Sequence, residues 1–402
     1  MPALIPVSYS ASPIEVHSSR DPARLTALQQ EWSALFEAAG APCPFLSWEW
    51  LHTWWRFFGQ RRAIWILEAR DGTGRLVGAV ALATRPGLAG RRFQFLGNGI
   101  GGADGLDFLV RPEVAAAARA ALAQELVQQS TTWDALDLED LPYGSPTLAA
   151  LRRACGAVAA QTSVERRFVC PGFALTGTYP DLVRGIRRRE TFGRRRRWLE
   201  RQPGFRIDVA PAAELDAAMQ DFLRLHRLRW EVDGGSSGIP PGVCEDFHRA
   251  LAPLLAERGW LRLYRLRVGG EAVAAVYGLE LGRQFYFYQS GFDPAWSARS
   301  PGMVLLGRTI EDAFARELRY YDFLRGTEAY KFDWASDRRD TCALRVQAPG
   351  LRAEAAAVAD GTFRAVRGLA RSVTPDRIWD NLRRMKRGLM VNGFGGLAAR
   401  RG

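Results

Sequence analysis

The most constraining feature of this sequence is a strand-and-turn layout that occurs twice. Two apolar, strand-like runs flank the turn at 71–74, and a similar pair flanks Gly269–Gly270 in the second half. The short segments GRLVGA (74–79) and GEAVAA (270–275) follow these turns at equivalent places. Glycine-containing turns between apolar runs are typical of β-hairpins. We therefore predict an internal duplication in which each copy contains a hairpin and a third strand.

Segments with apolar residues at helical spacing occur near both hairpins. The pattern predicts helices over 21–39 and through the aromatic cluster at 45–58 in the first half, and over 212–230, 246–257 and 301–318 in the second. Further strands are predicted at RRFQFLG, WDALDLEDLP and LRYYDFL. Strands that alternate with helices predict an α/β fold, here two tandem domains with mixed sheets flanked by helices.

The 402 residues are enough for two or three domains. We place the first α/β domain at 1–180, a basic linker helix at 181–205, and the second domain, with the expected active site, at 206–350. A basic amphipathic extension follows at 351–402, and we expect that it can lie on a membrane surface.

Basic residues outnumber acidic ones by 55 to 43, which gives a net charge of +12 and a pI near 10. This balance favours anionic partners such as phosphates, nucleic acid or a lipid surface. Almost all of the positive charge is arginine, because lysine occurs only at Lys331 and Lys386.

Five widely separated cysteines contain no C-x-x-C pair, so we expect neither a metal site nor a disulfide framework. The N-terminus lacks the pattern of a signal peptide, and no apolar run reaches the roughly 20 residues of a membrane span. We expect a cytoplasmic protein, with peripheral contact to the anionic inner membrane face as an option.

Arginines are densest between 181 and 202. They stand at the positions Arg184, Arg187, Arg188, Arg189, Arg194, Arg195, Arg196, Arg197 and Arg201. Two interpretations are open: a surface that binds tRNA or anionic lipid, or an amphipathic helix with a solvated face, which we favour.

The segment 97–102 (GNGIGG) matches the dinucleotide-binding pattern G-x-G-x-x-G, but a strand-like sequence follows it where that site needs a helix. A dinucleotide site is therefore not expected. Together with Asp104 and Asp107, the same glycines either line a cleft or form a simple turn.

A sharper anion site is predicted at the start of the helix over 301–318. Ser300 is placed to cap, Pro301 suits the first helical position, and Gly302 leaves backbone amides open to a phosphate beside Arg299. The alternative is an ordinary helix start without a ligand.

His226 lies on an apolar helix face with Trp230, close to Arg229 and Glu231. Imidazole is well matched to proton transfer at neutral pH, so His226 is a candidate general base. The alternative is a buried core histidine.

The segment YYDFLRGTEAYKFDWA is the most informative one for function. A strand with Asp322 leads into a loop that carries Arg325, Glu328, Tyr330 and Lys331. Charges at the end of a strand are typical of α/β ligand sites, and a lysine in a chain that otherwise uses arginine suggests that its compact ammonium is needed. The alternative is a loop held by ion pairs of Glu328 with Lys331 or Arg325.

These motifs resemble a known family. PFLSWEWLHTWW, GRLVGAVAL and FLGNGIGGADGLDFLV, with LHRLRW, FYQSGFDPAW, SPGMVLL and YDFLRGTEAYKFDWA, are similar to the CelD/BcsL-like acyltransferases over residues 25–345. That family belongs to the tandem GNAT group, which includes the FemAB-like peptidyl transferases. The resemblance implies two GNAT-like domains and an N-acyltransferase without a metal, with acyl-CoA held at Arg299–Gly302.

The resemblance also implies roles for individual residues. His226 or Glu328 would take the proton from the acceptor ammonium, Tyr288 or Tyr330 would protonate the leaving thiolate, and Lys331 would face the developing oxyanion with backbone amides at 289–291. Substrate contacts are expected from the residues Arg229, Trp230, Asp322, Arg325 and Tyr330.

The acceptor implied by the family is an amine of an envelope component. It is either an amino sugar of an exopolysaccharide precursor or a lipid amine such as a sphingoid base. Two alternatives are open: a FemAB-like transferase that uses aminoacyl-tRNA, which is the one case where nucleic acid is expected, and a non-catalytic GNAT-like binding module.

Overall fold

A computed structural model describes most of the chain. The described residues are 13–41, 43–85, 90–158, 160–231, 238–359 and 362.

The described strands belong to one mixed sheet. In the first half they are β1 (Glu15–Ser19), β2 (Ile64–Arg70), β3 (Leu76–Thr84), β4 (Arg92–Phe95), β5 (Leu109–Val110), β6 (Ala135–Pro142) and β7 (Gln161–Ala174). In the second half they are β8 (Arg206–Val209), β9 (Leu261–Val268), β10 (Glu271–Leu281), β11 (Gln284–Phe292), β12 (Tyr320–Asp322) and β13 (Asp337–Gln347).

Helices cover both faces of this sheet. They are α1 (Pro22–Ala27), α2 (Gln29–Ala38), α3 (Trp48–Phe58), α4 (Ala115–Gln128), α5 (Pro146–Ala157), α6 (Tyr179–Gly185), α7 (Arg189–Glu200), α8 (Leu215–Glu231), α9 (Val243–Glu257) and α10 (Pro301–Ala315). Residues 351–359 are also helical.

The strand order reads alike from both ends of the sheet. It runs β1-β2-β3-β4-β6-β13 from one end and β8-β9-β10-β11-β12-β7 from the other. Each half therefore gives its last strand to the other half, and β7 and β13 pair antiparallel at the centre. The predicted tandem α/β architecture with mixed sheets is confirmed, and the exchanged strands join its two halves.

Both predicted hairpins are present. β2 pairs antiparallel with β3, and β9 with β10. The helix predicted over 21–39 is two helices that meet at Leu28, and the arginine-rich segment forms α6 and α7 rather than one linker helix.

Two apolar clusters fill the space between the sheet and its helices. The larger one contains the fully buried indoles of Trp32, Trp50, Trp54, Trp65 and Trp133. Most of the aromatic cluster at 45–58 is therefore core.

Across the residues that the structure describes, no helix is long and apolar enough to cross a membrane, and no group of three or more histidine, cysteine or acidic side chains is placed to hold a metal. The five cysteines are free thiols.

Candidate active site

A cleft opens in the second half where two parallel strands separate. β11 and β12 pair only over Gln284–Tyr286 and Tyr320–Asp322. Directly after this paired stretch, Tyr288 is the extra residue of a β-bulge against β10, and bulges bend a strand away from its neighbour. Residues 287–292 consequently have no strand partner on the β12 side, and a cavity of about 270 Å³ lies there.

The equivalent place in the first half is filled by the chain itself. β4 and β6 also pair in parallel over only two residues each. The following loop, 96–107, folds back so that the Leu106 amide donates to the Asp140 carbonyl at 3.0 Å, and Ala103 and Leu106 are fully buried. Among the described residues, the loop thus occupies the separation in the first half, whereas the separation in the second half opens into the cleft.

Six of the thirteen predicted site residues line the cleft. Its lining includes Trp230, Tyr288, Arg325, Glu328, Tyr330 and Lys331. The first half contributes Gly102 and Asp104, so these two residues do line a cleft, whereas Asp107 does not line this one. Gly102 has φ +66°, and a Cβ there would lie 2.8 Å from the Tyr288 hydroxyl oxygen, so only glycine fits.

Lys331 is the central charge of the cleft loop. It is only 4% exposed, and its Nζ donates to the Arg325 carbonyl at 2.8 Å and lies 3.0 Å from Glu328 Oε2. The predicted ion pair with Glu328 therefore exists and forms part of the cleft wall. An ammonium has three N–H bonds, and these contacts use two of them.

Arg325 connects the two halves of the molecule. Its Nε lies 3.0 Å from Asp104 Oδ1, its Nη1 donates to Asp140 Oδ2 at 3.0 Å, and its backbone amide also donates to Asp104. Burial raises the pKa of Asp140 to about 7 although Arg325 opposes this shift, and burial also raises the pKa of Asp104. The Arg325 guanidinium thus forms ion pairs with two buried carboxylates, which makes Arg325 a positioning residue of the cleft wall.

Asp322 does not belong to this cleft. Its side chain is buried beside a separate cavity, where Arg339 Nη2 donates to its Oδ2. A substrate contact in the cleft is therefore not available to Asp322, because a strand alternates its side chains between the two faces of a sheet. Burial raises the pKa of Asp322.

His226 lies behind the cleft, on α8. Its imidazole is 1% exposed and its Nε2 is 3.3 Å from Oε1 of Gln289, which lines the cleft. Burial lowers the pKa of His226 to about 4, so the imidazole is neutral at pH 7 and weakly basic. This placement depends on Gly291, since a Cβ there would lie 2.2 Å from the His226 backbone nitrogen. Helix α8 thus rests directly on β11.

Arg229 and Trp230 end the same helix. The guanidinium of Arg229 lies 5.0 Å from the ring centroid of Trp230 and 5.4 Å from that of Phe292, and it does not line the cleft. The indole N–H of Trp230, which does line the cleft, is buried without a hydrogen-bond partner among the described residues.

The two candidate tyrosines differ in their contacts. The Tyr288 hydroxyl donates to the Gly101 carbonyl at 2.7 Å and lies 3.4 Å from Nε2 of His248, so its proton is already used. Tyr330 is 38% exposed and packs against Phe287 with ring centroids 6.4 Å apart. Burial raises the pKa of both hydroxyls, so both are protonated at neutral pH.

Helix α10 begins at Pro301, as predicted, and a short 3-10 helix (Pro294–Arg299) separates it from the end of β11. Ser300 stands in the cap position with φ 51° and ψ 52° but makes no capping hydrogen bond, so the predicted side-chain cap is wrong, because the left-handed backbone does not support it. A Cβ on Gly302 would lie 3.4 Å from the Phe292 ring. The guanidinium of Arg299 lies 4.1 Å from the Trp198 ring centroid on α7.

Helix α7 is amphipathic. Phe192 and Leu199 are buried against the protein, and its arginines face outward. Ion pairs join Arg196 to Glu200 and Glu311. Six arginines of the basic segment have no acidic partner among the described residues, namely Arg187, Arg189, Arg194, Arg195, Arg197 and Arg201.

Sequence reasoning did not single out Gln289, His248 or Asp140. Gln289 stands in the bulged part of β11, and His248 is fully buried beside Tyr288, with a pKa that burial lowers to about 3. Asp140 has a left-handed φ of 60° within β6. No local sequence pattern predicts the contacts of these residues, because their partners lie far away in the sequence.

Comparison with known proteins agrees with this geometry. Residues 187–332 match the model of an acetyltransferase (GNAT) domain, a span that contains the cleft loop and most of the residues that line the cleft. No curated protein sequence matches the chain.

Solved structures of similar fold cover most of the molecule. The crystal structure of FemX is 11% identical, with a TM-score of 0.54, and the alignment covers 78% of this chain and 95% of FemX. The C-terminal domain of a protein assigned as a lysylphosphatidylglycerol synthetase from Agrobacterium fabrum is 11% identical, with a TM-score of 0.52 and coverage of 85% and 96%. L-PGS from Bacillus licheniformis is 10% identical, with a TM-score of 0.50 and coverage of 83% and 93%.

The domain match indicates a GNAT-like acyltransferase domain at 187–332, and the solved structures share the fold of the chain. The CelD/BcsL-like assignment stays a prediction.

Proposed function

We propose that this protein is an acyl-CoA-dependent N-acyltransferase whose acceptor is an amine of an envelope component. The observation that carries the proposal is the coincidence of three features within the matched residues 187–332: separated parallel strands, an open cleft, and the buried Lys331 in its wall. The first half, where the loop 96–107 fills the separation, would serve to support this single site.

The described residues fit an acyl-CoA. Backbone groups of 287–292 without a strand partner suit the amides of a pantetheine arm. At the start of α10 the Gly302 amide is the one that suits a phosphate, because Pro301 has no N–H and the Met303 and Val304 amides donate to the Ser300 carbonyl. Arg299 would add positive charge there. Neither Pro301 nor Gly302 has a long side chain that would cover the start of the helix.

The contacts favour particular residues for the chemistry. Of the two candidate bases, Glu328 is exposed in the cleft, whereas His226 is buried behind Gln289 and has a pKa of about 4. A base must lie within hydrogen-bond reach of the proton that it accepts, so the geometry favours Glu328 for accepting the ammonium proton. The amine then attacks the thioester carbonyl and displaces the thiolate of coenzyme A.

Charge develops on the carbonyl oxygen during this attack. Lys331, with one N–H outside its known contacts, and backbone amides at 289–291 would stabilise that charge. For protonation of the leaving thiolate we favour Tyr330 over Tyr288, because the Tyr288 proton is held by the Gly101 carbonyl.

Binding tests this proposal first. Thermal unfolding of the purified protein is measured with coenzyme A, acetyl-CoA and palmitoyl-CoA. A ligand at about 100 times its Kd stabilises the native state by roughly 2.7 kcal/mol. Stabilisation that grows with acyl length favours a lipid amine such as a sphingoid base as acceptor, and stabilisation that is complete with acetyl-CoA favours an amino sugar. No stabilisation by any of the three contradicts the proposal.

A second candidate is a FemAB-like transferase that uses aminoacyl-tRNA. The six arginines without acidic partners favour it, because they suit a polyphosphate backbone. Their interpretation as a solvated helix face predicts no such binding. The discriminating measurement is tRNA affinity at several salt concentrations for the protein and for a variant with Arg194, Arg195 and Arg197 changed to alanine. A steep salt dependence that the variant loses supports tRNA as donor carrier.

The same variant tests the non-catalytic alternative. A binding module would lose its function with the three arginines and keep it in Glu328→Gln and His226→Ala. An acyltransferase shows the opposite pattern for Glu328→Gln.

A further inference from the structure

A second cavity lies next to the cleft, on the other side of the Asp104–Arg325 pair. Its volume is about 230 Å³, and Asp104 and Leu324 line both spaces. These two residues therefore form the common wall. The cavity does not contain Glu328, Lys331 or the start of α10, so the donor site proposed above leaves it unused.

The cavity has an apolar part and an acidic part. Phe45, Phe108 and Leu109 contribute buried apolar surface, and Asp104, Asp107 and Asp322 contribute carboxylates. Such a combination suits a ligand with an apolar portion and a positive charge, because a buried carboxylate is stabilised by a cation.

The carboxylates differ in how far they are already neutralised. Asp322 pairs with Arg339, and Asp104 shares Arg325 with Asp140. Asp107 has no ion pair among the described residues: its Oδ2 accepts from the Ser145 hydroxyl at 2.5 Å and its Oδ1 from the Phe108 amide at 2.6 Å. Asp107 is thus the carboxylate of this cavity without a direct ion pair among the described residues. Burial raises its pKa, and Arg119, which also lines the cavity, opposes this shift from a longer distance.

An independent feature of the same cavity points to a ligand. Thr341, which lines it, is only 4% exposed, and its Oγ1 is buried without a hydrogen-bond partner among the described residues. Leaving a buried hydroxyl unpaired is costly, so such groups usually have a partner. A bound ammonium group would donate to this oxygen.

We infer that this cavity is the acceptor subsite, and that it binds a primary amine joined to an apolar group. This inference rests on the proposed function, because it names the place and chemistry of the acceptor for the same site. Before transfer, Asp107 and Thr341 bind the ammonium and the apolar surface holds the adjoining chain. For transfer, the amine passes the wall formed by Asp104 and Leu324 and reaches Glu328 in the donor cleft.

Direct binding tests the subsite without any need for activity. Isothermal titration calorimetry is carried out with hexylamine, with hexanol and with hexanoate. Hexylamine should bind most tightly, Thr341→Val should weaken it about fivefold as expected for one hydrogen bond, and Asp107→Asn should weaken it tenfold or more. Asp216→Asn, on the exposed side of α8, is the matched control and should bind as the unchanged protein does.

Equal binding of hexanol, or affinities for hexylamine that both variants leave unchanged, overturns the inference. Thr341→Val conserves the shape of the side chain, so it also serves if Asp107→Asn fails to fold. Failure of the proposed function gives a different result. In that case hexylamine binds and the two variants weaken its binding, yet no acyl-CoA stabilises the protein. If the protein transfers acyl groups, Thr341→Val and Asp107→Asn should raise the KM for the amine and leave the KM for acyl-CoA unchanged.

Discussion

Replacement of Gly291 by alanine tests how the cleft is built. The new Cβ would lie 2.2 Å from the His226 backbone nitrogen and 2.4 Å from the Leu225 carbonyl carbon. Both atoms belong to the backbone of α8, so no side-chain rotation relieves the contact, and the helix must move by about an ångström to reach ordinary separations. Overpacking of this kind costs about 1–3 kcal/mol, and we expect about 3 because backbone must shift.

Urea denaturation measures the free energy of unfolding, and calorimetry measures coenzyme A affinity, which should also fall because α8 carries Trp230 in the cleft wall. Gly156→Ala is the matched control. Gly156 lies in α5, where a Cβ meets nothing within 4 Å, so alanine should raise stability by about 0.5–1 kcal/mol. A Gly291→Ala variant as stable as the original protein would refute the packing of α8 on β11.

Three further predictions concern the charges around the cleft. The pKa of Asp140 is about 7 in the folded state and 3.8 in the unfolded state, so the folded state binds the proton more tightly. The free energy of unfolding should therefore fall by up to about 4 kcal/mol as pH rises from 4 to 8. Urea titrations of Asp140→Asn should show a smaller fall. Arg325→Met leaves two buried carboxylates without their guanidinium and should destabilise the protein by about 3 kcal/mol at pH 8 and by less at pH 5; an equal loss at both pH values argues against this network. Lys331→Met should lower kcat at least about 100-fold while the acyl-CoA Kd stays within a few-fold, and retained kcat would exclude an oxyanion role.

Local patterns were sufficient to predict the hairpins and the start of α10. Apolar alternation and glycine turns determine the pairs β2–β3 and β9–β10, and the Ser-Pro-Gly sequence determines where α10 begins. Lys331, the one lysine of the loop region, is buried in the cleft wall, as Arg92 and Arg265 are buried elsewhere, and its role stays a prediction.

The exchange of β7 and β13 was not predictable in this way. The first residues of β7, 161–167, are exposed and mostly polar, so they lack the apolar alternation of a half-buried strand. The contacts that define the cleft have the same character: Arg325 and Asp140 are 185 positions apart, and the orientation of Asp322 away from the cleft depends on strand register. Such features follow from tertiary pairing and not from sequence spacing.

The most direct test of the central claim is acyl transfer itself. The purified protein is incubated with acetyl-CoA or palmitoyl-CoA and a panel containing glucosamine and sphinganine, and mass spectrometry follows the amide product and free coenzyme A. The account predicts that amide and coenzyme A form in equal amounts and that Lys331→Met forms both at least about 100-fold more slowly. Absence of amide with every pair, together with transfer from aminoacyl-tRNA under the same conditions, would contradict an acyl-CoA-dependent enzyme.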